Sequence, residues 1–374
     1  MLSRFTLGIE EEFQMVDKQT GQLASQVHTI IEQGLPFFGE QIKPEMLQSM
    51  VEIITNVCPN ITALRLDLQQ KTQKLAQLVD AQGLALISAG THPLAHWRDQ
   101  KRSRHIRYEE LDEEFQDVGR SILICGLHVH VGIDRHELAV PLMNQLRTWL
   151  PHLLALSSNS PFWIGHHTGI KSYRAVVWKR FPRSGIPNPF SSTLEYDRYV
   201  QNLVQTGCID NAKKIWWDIR PHPFYNTIEF RVCDMPATIE DAIAIAALCQ
   251  ALVAKLTWLY EKNITTYVLS DHYIEENKWR AARYGLDAEV VDFIQGRRLS
   301  MRDAIHEVLD FVEDVVDELN IRREMSYLRA LLVSSQGTGA DRQLAIYQET
   351  QDLSAVITYL THRTMEGLLF EQAS

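Results

Sequence analysis

Glu10 and Glu12, His128 and His130, and Glu229 and Arg231 each stand two residues apart. In a β-strand that spacing sends both members of a pair to the same face. Carboxylates and imidazoles sharing a face make a donor set for a hard divalent cation. An arginine beside them adds a planar fork for phosphate or carboxylate. Two carboxylates one pleat apart repel each other unless a cation or a proton lies between them. The chemistry within reach is therefore metal-assisted handling of an anionic group.

The surrounding residues predict the strands that this reading needs. Over residues 5–16, Phe5, Leu7, Ile9, Phe13 and Met15 share one face, and Thr6, Gly8, Glu10, Glu12 and Gln14 the other. Glu11 falls on the apolar side, where it is expected at an edge or paired. Over residues 121–133, an unbroken apolar face (Leu123, Cys125, Leu127, Val129, Val131, Ile133) stands opposite His128 and His130, with Gly126 and Gly132 leaving room. Over residues 227–233, Ile228, Phe230 and Val232 oppose Thr227, Glu229, Arg231 and Cys233. A half-buried strand ordinarily turns a polar face to water, but a face built from Glu, His and Arg has the composition of a cation and anion site. Glu45 and Glu52 add to it. On one straight strand they would point oppositely, so a turn or bulge near Gln48 and Ser49 is expected to bring them together. Glu52 lies in an apolar strand and needs a partner there.

These strands alternate with helical patterns over residues 62–81, 138–157 and 239–260, the last opening on Thr238 and Asp241 as a capping pair. Beyond residue 260 the chain reads as almost wholly helical. The fold class predicted is α+β, a curved antiparallel β-sheet with flanking helices and a helical C-terminal third. The chain has 374 residues, 45% of them hydrophobic, and neither an internal repeat nor a low-complexity linker divides it. One catalytic domain over 1–374 is expected. The net charge of −10 argues against a nucleic-acid partner. Five cysteines without a Cys-x-x-Cys fit a reduced, cytoplasmic protein. Residues 1–5 run directly into a strand pattern, so no signal peptide is expected. The longest apolar run, 242–254, is interrupted by Gln250 and is too short for a membrane span.

Gly8-Ile9-Glu10-Glu11-Glu12, Pro44-Glu45, Val51-Glu52-Ile53, the run from Gly126 to Gly132 and Thr227-Ile228-Glu229-Phe230-Arg231 together resemble the carboxylate–amine ligase family, also called the glutamate–cysteine ligase type 2 family. Order and spacing match over nearly the whole chain, including Trp217-Asp218-Ile219-Arg220-Pro221 and Asn277-Lys278-Trp279-Arg280. The resemblance implies a glutamine synthetase-like fold whose sheet holds ATP and two or three Mg2+ ions, with Mn2+ an admissible substitute. It implies one metal on Glu12, Glu45 and Glu52, a second on Glu10, His130 and Glu229, and Arg231 facing the transferring phosphate. His128 is a near neighbour without an assigned role. The reaction implied joins a carboxylate, nominally glutamate, to an amine, nominally cysteine, through an acyl phosphate, in a homodimer.

Basic residues must complete such a cradle. His166, His167, Lys171, Arg174, Lys179, Arg180 and Arg183 form one basic stretch, and Lys278, Arg280 and Arg283 another. Arg174, Arg280 and Lys278 are the candidate ATP or substrate contacts, weighed against a merely solvated basic face. Trp216, Trp217 and Trp279 are candidates for a pocket wall or for core. The Gly-rich run from Ser334 to Gly339 lacks the lysine and strand context of a phosphate loop and reads as a mobile loop near the site. The alternatives are a phosphotransferase of the guanidino-kinase type and a metal-dependent amide hydrolase, the latter lacking a His-Glu-x-x-His helix. A non-catalytic metal or nucleotide sensor is the third.

Overall fold

The computed structural model describes residues 4–104 and 106–366; residues 1–3, at the head of the first strand pattern, lie outside the described residues. Seven strands form one sheet: β1 (Leu7–Asp17), β2 (Ile42–Pro44), β3 (Met50–Ile54), β4 (Leu84–Ile87), β5 (Gly126–Gly132), β6 (Ile219–Pro221) and β7 (Thr227–Asp234). Their order is β6-β7-β5-β1-β3-β2, with β4 paired to β1, and every pairing is antiparallel. β1 is central because its alternation gives it a continuous apolar face, with Leu7, Ile9, Phe13 and Met15 all buried.

That face packs on helices α1 (Ile61–Asp80) and α4 (Ile239–Glu261). Asn60 starts α1 by accepting from the Ala63 N–H at 2.9 Å, and Thr238 starts α4 by accepting from the Asp241 N–H at 3.2 Å. α4 is long and apolar enough to cross a membrane, yet 89% of its apolar window is buried inside the protein. It is the core helix of the sheet. Burying each large aliphatic side chain along this contact contributes about 1.5–3 kcal/mol, so the apolar side is the rigid floor beneath the polar one. Two shorter helices matter for the site: α2 (Ile106–Arg120) and α3 (Tyr173–Trp178).

The helical C-terminal third is interrupted by a hairpin, Glu289–Asp292 paired with Arg297–Ser300. Val290 and Val291 favour the strand, and Gly296 supplies the positive φ of the turn at +65°. The expected helix over 138–157 is split into Ala139–Leu146 and Leu150–Ser157 by a 3-10 turn at Arg147–Trp149. The fully buried Arg147 guanidinium there donates to the carbonyls of Pro187 and Leu269 at 2.5 and 2.8 Å.

The Gly-rich run joins the helices Arg322–Val333 and Gly339–Thr350. Thr338 caps the second of these together with Asp341. A Cβ on Gly339 would lie 2.1 Å from Asn159 Oδ1, so this glycine marks a tight docking point.

Candidate active site

Strand register assembles the polar face in rows. Glu12 lies directly opposite Glu52, and Glu52 opposite Lys43. Glu10 lies opposite His128. His130 lies opposite Glu229, and Glu229 opposite Arg220. Four strands, with Glu45 just beyond β2, thus bring the predicted carboxylates and His128 to one cleft of about 440 Å3, with His130 beside Glu10. Glu45 and Glu52 reach it from the two limbs of the β2–β3 hairpin, since the chain turns between Pro44 and Met50 rather than bulging within one strand.

A β-bulge sets the end of β7. Phe230 faces Val129 and Cys233 faces Leu127, so Arg231 and Val232 together oppose His128. The extra residue turns Cys233 into the apolar core, correcting the strict alternation that placed it on the polar side. It leaves Arg231 in the cleft.

Two groups of donor atoms lie within 4.8 Å of one another: Glu10, His128 and Glu229, and Glu12, Glu52 and His128. His128 Nδ1 is 3.0 Å from Glu10 Oε2, and its Nε2 is 3.9 Å from Glu12 Oε1. His130 Nε2 is buried, stands 3.4 Å from Glu10 Oε1 and makes no well-formed hydrogen bond. His128, which the sequence left without a role, therefore belongs to both donor groups, and His130 stands beside the first. Glu45 lines the same cleft but belongs to neither group.

The electrostatics follow from crowding. Burial and the neighbouring Glu10 and Glu45 push the Glu52 carboxyl well above the usual range. Burial presses Glu10 the same way, but the His128 hydrogen bond and the neighbouring His130 ring hold it well below. Burial and the nearby Arg231 lower His128; burial also opposes charging of His130, but Glu10 outweighs it and raises that ring. Against its burial, Glu229 is held low by Arg220 and Arg231. Divalent cations fit here on the structure's own terms: one would relieve the carboxylate repulsion at Glu52, and another, at Glu10, would lie beside the unpartnered His130 nitrogen.

Arginines form one side. Arg220 grips Glu229 with Nε at 2.7 Å and Nη2 at 3.2 Å, and Arg231 Nη1 donates to the same carboxylate. Arg174, at the start of α3, lies across Gly126 and donates to the carbonyls of Arg231 and Val232, both at 3.3 Å. A Cβ on Gly126 would meet Arg174 Nη2 at 2.2 Å. The Gly126 N–H in turn donates to Glu12 Oε2 at 2.6 Å.

Of the basic residues singled out from the sequence, Arg174 lines this cleft. Lys278 is buried in an ion pair with Asp218 at 2.5 Å, and Arg280 pairs with Glu276 on its own helix; neither lines the cleft. Lys171 is held by Asp287 and Asp341. Trp216 lines the cleft, Trp217 packs in a separate apolar cluster, and Trp279 is exposed. Sequence reasoning missed Arg220, Lys43, Lys213, Tyr108, Trp178 and His222, which all line it. Arg220 carried a signal: it alternates between Ile219 and Pro221 in a run already recognised as part of the motif set. The others depend on loops whose paths no periodicity encodes.

An acidic, arginine-flanked donor set on an antiparallel sheet, with helices on the opposite face, defines the class of the carboxylate–amine ligases. The chain belongs to glutamate–cysteine ligase family 2, whose model matches residues 6–358. A relative from Solibacter usitatus, provisionally named glutamate–cysteine ligase 2, is 49% identical over 97% of this chain and 94% of its own length. One from Chloroflexus aurantiacus with the same provisional name is 48% identical over 97% and 93%. Among solved structures, the glutamate–cysteine ligase of Francisella tularensis in complex with AMP superposes with a TM-score of 0.70 at 13% identity, over 99% of this chain and 90% of that one. The bifunctional glutathione synthetase of Pasteurella multocida gives 0.66 at 13% identity, over 97% and 53%. The antiparallel sheet and the glutamine synthetase-like class read from the sequence are thereby borne out, and the protein is a ligase acting on small molecules.

Proposed function

We propose that this ligase uses ATP and Mg2+ to activate a carboxylate, glutamate in the family's nominal reaction, as an acyl phosphate, which an amine then attacks to give an amide. The observation that carries the reading is the double donor set of Glu10, Glu12, Glu52, His128 and Glu229 beside Arg231, Arg220 and Arg174 in one cleft. Bound there, the cation would neutralise charge that builds on the phosphate during transfer. Glu10, His128 and Glu229 would hold one ion, with His130 adjacent; Glu12 and Glu52 would hold a second, with Glu45 beside them. A third ion and Mn2+ in place of Mg2+ remain within the same proposal.

The chain's own residues supply the rest. Arg231, buried and with an unpartnered Nε–H, is placed to meet the phosphoryl oxygens as charge moves onto them. Arg174, beside it, would orient the anionic substrate. In the second half-reaction the amine nitrogen forms a bond to the acyl carbon, the carbon–oxygen bond to phosphate breaks, inorganic phosphate leaves, and the nitrogen sheds its proton. Water must be kept out until then, since its attack would only hydrolyse ATP. We further propose that residues 1–374 act as one catalytic unit, as a cytoplasmic homodimer independent of nucleic acid and membrane.

ADP release from ATP and Mg2+, measured against a panel of acid–amine pairs with mass detection, tests the reading. ADP that needs both partners, with a product of their summed mass less one water, is the expected result. A phosphorylated product without an amide would replace it with the phosphotransferase, and amide cleavage without ATP with the hydrolase.

A further inference from the structure

One end of the cleft is walled by an apolar cluster separate from the main core. Met46, Leu111, Phe181 and Trp216 are its buried members, and Tyr108, Ile122 and Trp178 pack against them. All of these also line the cleft. The wall is rigid. Trp178 and Phe181 stack with centroids 5.7 Å apart, and Phe181 meets Trp216 edge-on at 4.6 Å. The Trp178 indole N–H donates to the Trp216 carbonyl at 3.2 Å, and the Tyr108 hydroxyl donates to the Pro44 carbonyl at 2.7 Å, fixing α2 beside Glu45. The Arg231 guanidinium lies 5.9 Å over the Trp178 ring. Arg231 and Arg174 each keep a buried Nε–H without a partner.

Neither a triphosphate nor a short polar amino acid has use for such a wall. Cysteine would leave most of it uncovered. The cleft lining also includes a different, exposed surface: Phe224 and Tyr225 are 62% and 66% exposed, Tyr225 stacks on His222 at 4.5 Å, and Lys213 stands 4.9 Å over Phe224. That open surface suits a flat base that enters and leaves, so the closed, buried end is left for another substrate.

We propose that the closed end seats the acceptor, and that the acceptor is an amine carrying an aromatic or comparably large apolar group. This rests on the ligase reading above. The wall contributes twice. It takes the apolar group out of water, and it disfavours the ammonium form, so that the nitrogen arrives as the free base which the acyl carbon requires. Trp178 is then the residue that sets specificity, since it joins the apolar wall to the arginine beside the metal donors.

The test compares phenethylamine, phenylalanine, leucine, cysteine and ammonia as acceptors with ATP, Mg2+ and glutamate, scoring amide by mass. It is paired with calorimetric binding of phenethylamine to the intact chain. Burial of one aromatic side chain sets the expected preference at about tenfold to hundredfold in kcat/KM over cysteine. Trp178→Ala should cut that ratio about tenfold, through KM for the amine; Phe181→Leu is the second variant where Trp178→Ala does not fold. Equal or better use of cysteine or ammonia overturns the proposal, as does a Trp178→Ala effect on KM for ATP in place of the amine. Trp178-dependent binding of phenethylamine without any amide would uphold the apolar seat and overturn the ligase reading; absence of both binding and amide overturns the seat.

Discussion

Arg220 and Glu229 face each other across the β6–β7 pair and are joined by two hydrogen bonds, at 2.7 and 3.2 Å. Glu229 is almost fully buried, and the two guanidinium groups on it keep it ionised. Arg220 also donates to the carbonyls of Lys213 and Ile215 at 3.1 and 2.5 Å. One side chain thus orients a carboxylate of the proposed metal site and ties down the segment that carries Lys213 and Trp216. Lysine cannot reproduce the fork. Arg220→Lys is expected to raise the Mg2+ concentration for half-maximal ADP formation by about tenfold, the usual effect of losing a group that orients a ligand. Arg220→Ala, which leaves Glu229 with Arg231 alone, should also destabilise the fold by about 3 kcal/mol. Titration of activity with Mg2+ and urea unfolding read the two effects separately, and an unchanged Mg2+ midpoint in Arg220→Lys would remove the orienting role.

Glu12 and Glu229 sit in different donor groups but share His128 as neighbour. Glu12→Gln and Glu229→Gln keep the shape of each side chain and delete the charge. Both variants should keep the native circular dichroism spectrum and lose ADP formation by at least about a thousandfold, the scale at which a charge-stabilising group acts in a transition state. Near-normal turnover in both would end the assignment of this face to a metal.

The parts of this site that could be read in the sequence are those governed by strand periodicity. Period two placed Glu10 with Glu12 and His128 with His130, and four of the seven sheet strands carry site residues named from the sequence. What it missed has a physical reason in each case. The bulge at Arg231 and Val232 adds a residue that no periodicity announces, so Cys233 changed faces. Which histidine approaches which glutamate is decided by register, Glu10 opposite His128 and Gly8 opposite His130, and register is a property of paired strands. Lys278 and Arg280 sit in a run that resembles the family's motifs, yet tertiary packing gave Lys278 Asp218 as its partner, and Arg280 pairs with Glu276 one turn back on its own helix. The aromatic end of the cleft comes from α2, α3 and loops far apart in the chain, and no local spacing could have joined them.

Glu11 faces the apolar side of β1, and burial pushes its carboxyl up to about 8, opposed only by the Thr72 hydroxyl. The unfolded chain gives up this proton near pH 4.5, while the native chain holds it to about 8, so stability is lost as pH rises through that window. Glu11→Gln removes the linkage. It should match the parent chain near pH 4.5 and exceed it by about 2–4 kcal/mol at pH 8. Urea unfolding at both pH values measures this, and an equal difference at the two would show that Glu11 does not titrate in this way.

His92 and His152 behave oppositely. Both are buried, and burial lowers each to about 4; His92 Nδ1 accepts from the Leu94 and Ala95 N–H groups while its Nε2 meets the Gly21 carbonyl at 3.0 Å. Below pH 6.5 the unfolded chain takes up protons that the native chain refuses until about pH 4. Stability should therefore fall with acid across that interval, by about 1.4 kcal/mol per pH unit for each histidine. His92→Gln should flatten the pH dependence of unfolding by one proton. An unaltered slope would mean that His92 is already charged in the native state.

Gly126 and Gly8 offer a paired test of the arginine cradle, because both face the polar side of the sheet and differ in what stands over them. A Cβ at Gly8 has His130 Cβ as its nearest neighbour at 3.8 Å, ordinary contact distance. A Cβ at Gly126 would sit 2.2 Å from Arg174 Nη2 and 2.8 Å from its Cζ. Arg174 cannot simply swing aside, since it is buried and donates to the Arg231 and Val232 carbonyls. Gly126→Ala must therefore displace the guanidinium or bend β5, at a cost of about 1–3 kcal/mol for overpacking. Gly8→Ala should change stability by less than about 0.5 kcal/mol, the ordinary range away from such features. If Arg174 orients substrate, Gly126→Ala should also raise KM for the acid by about tenfold or more, the worth of one charge-assisted hydrogen bond, while Gly8→Ala leaves it unmoved. Equal KM values in the two variants would show that the Arg174 position is structural only.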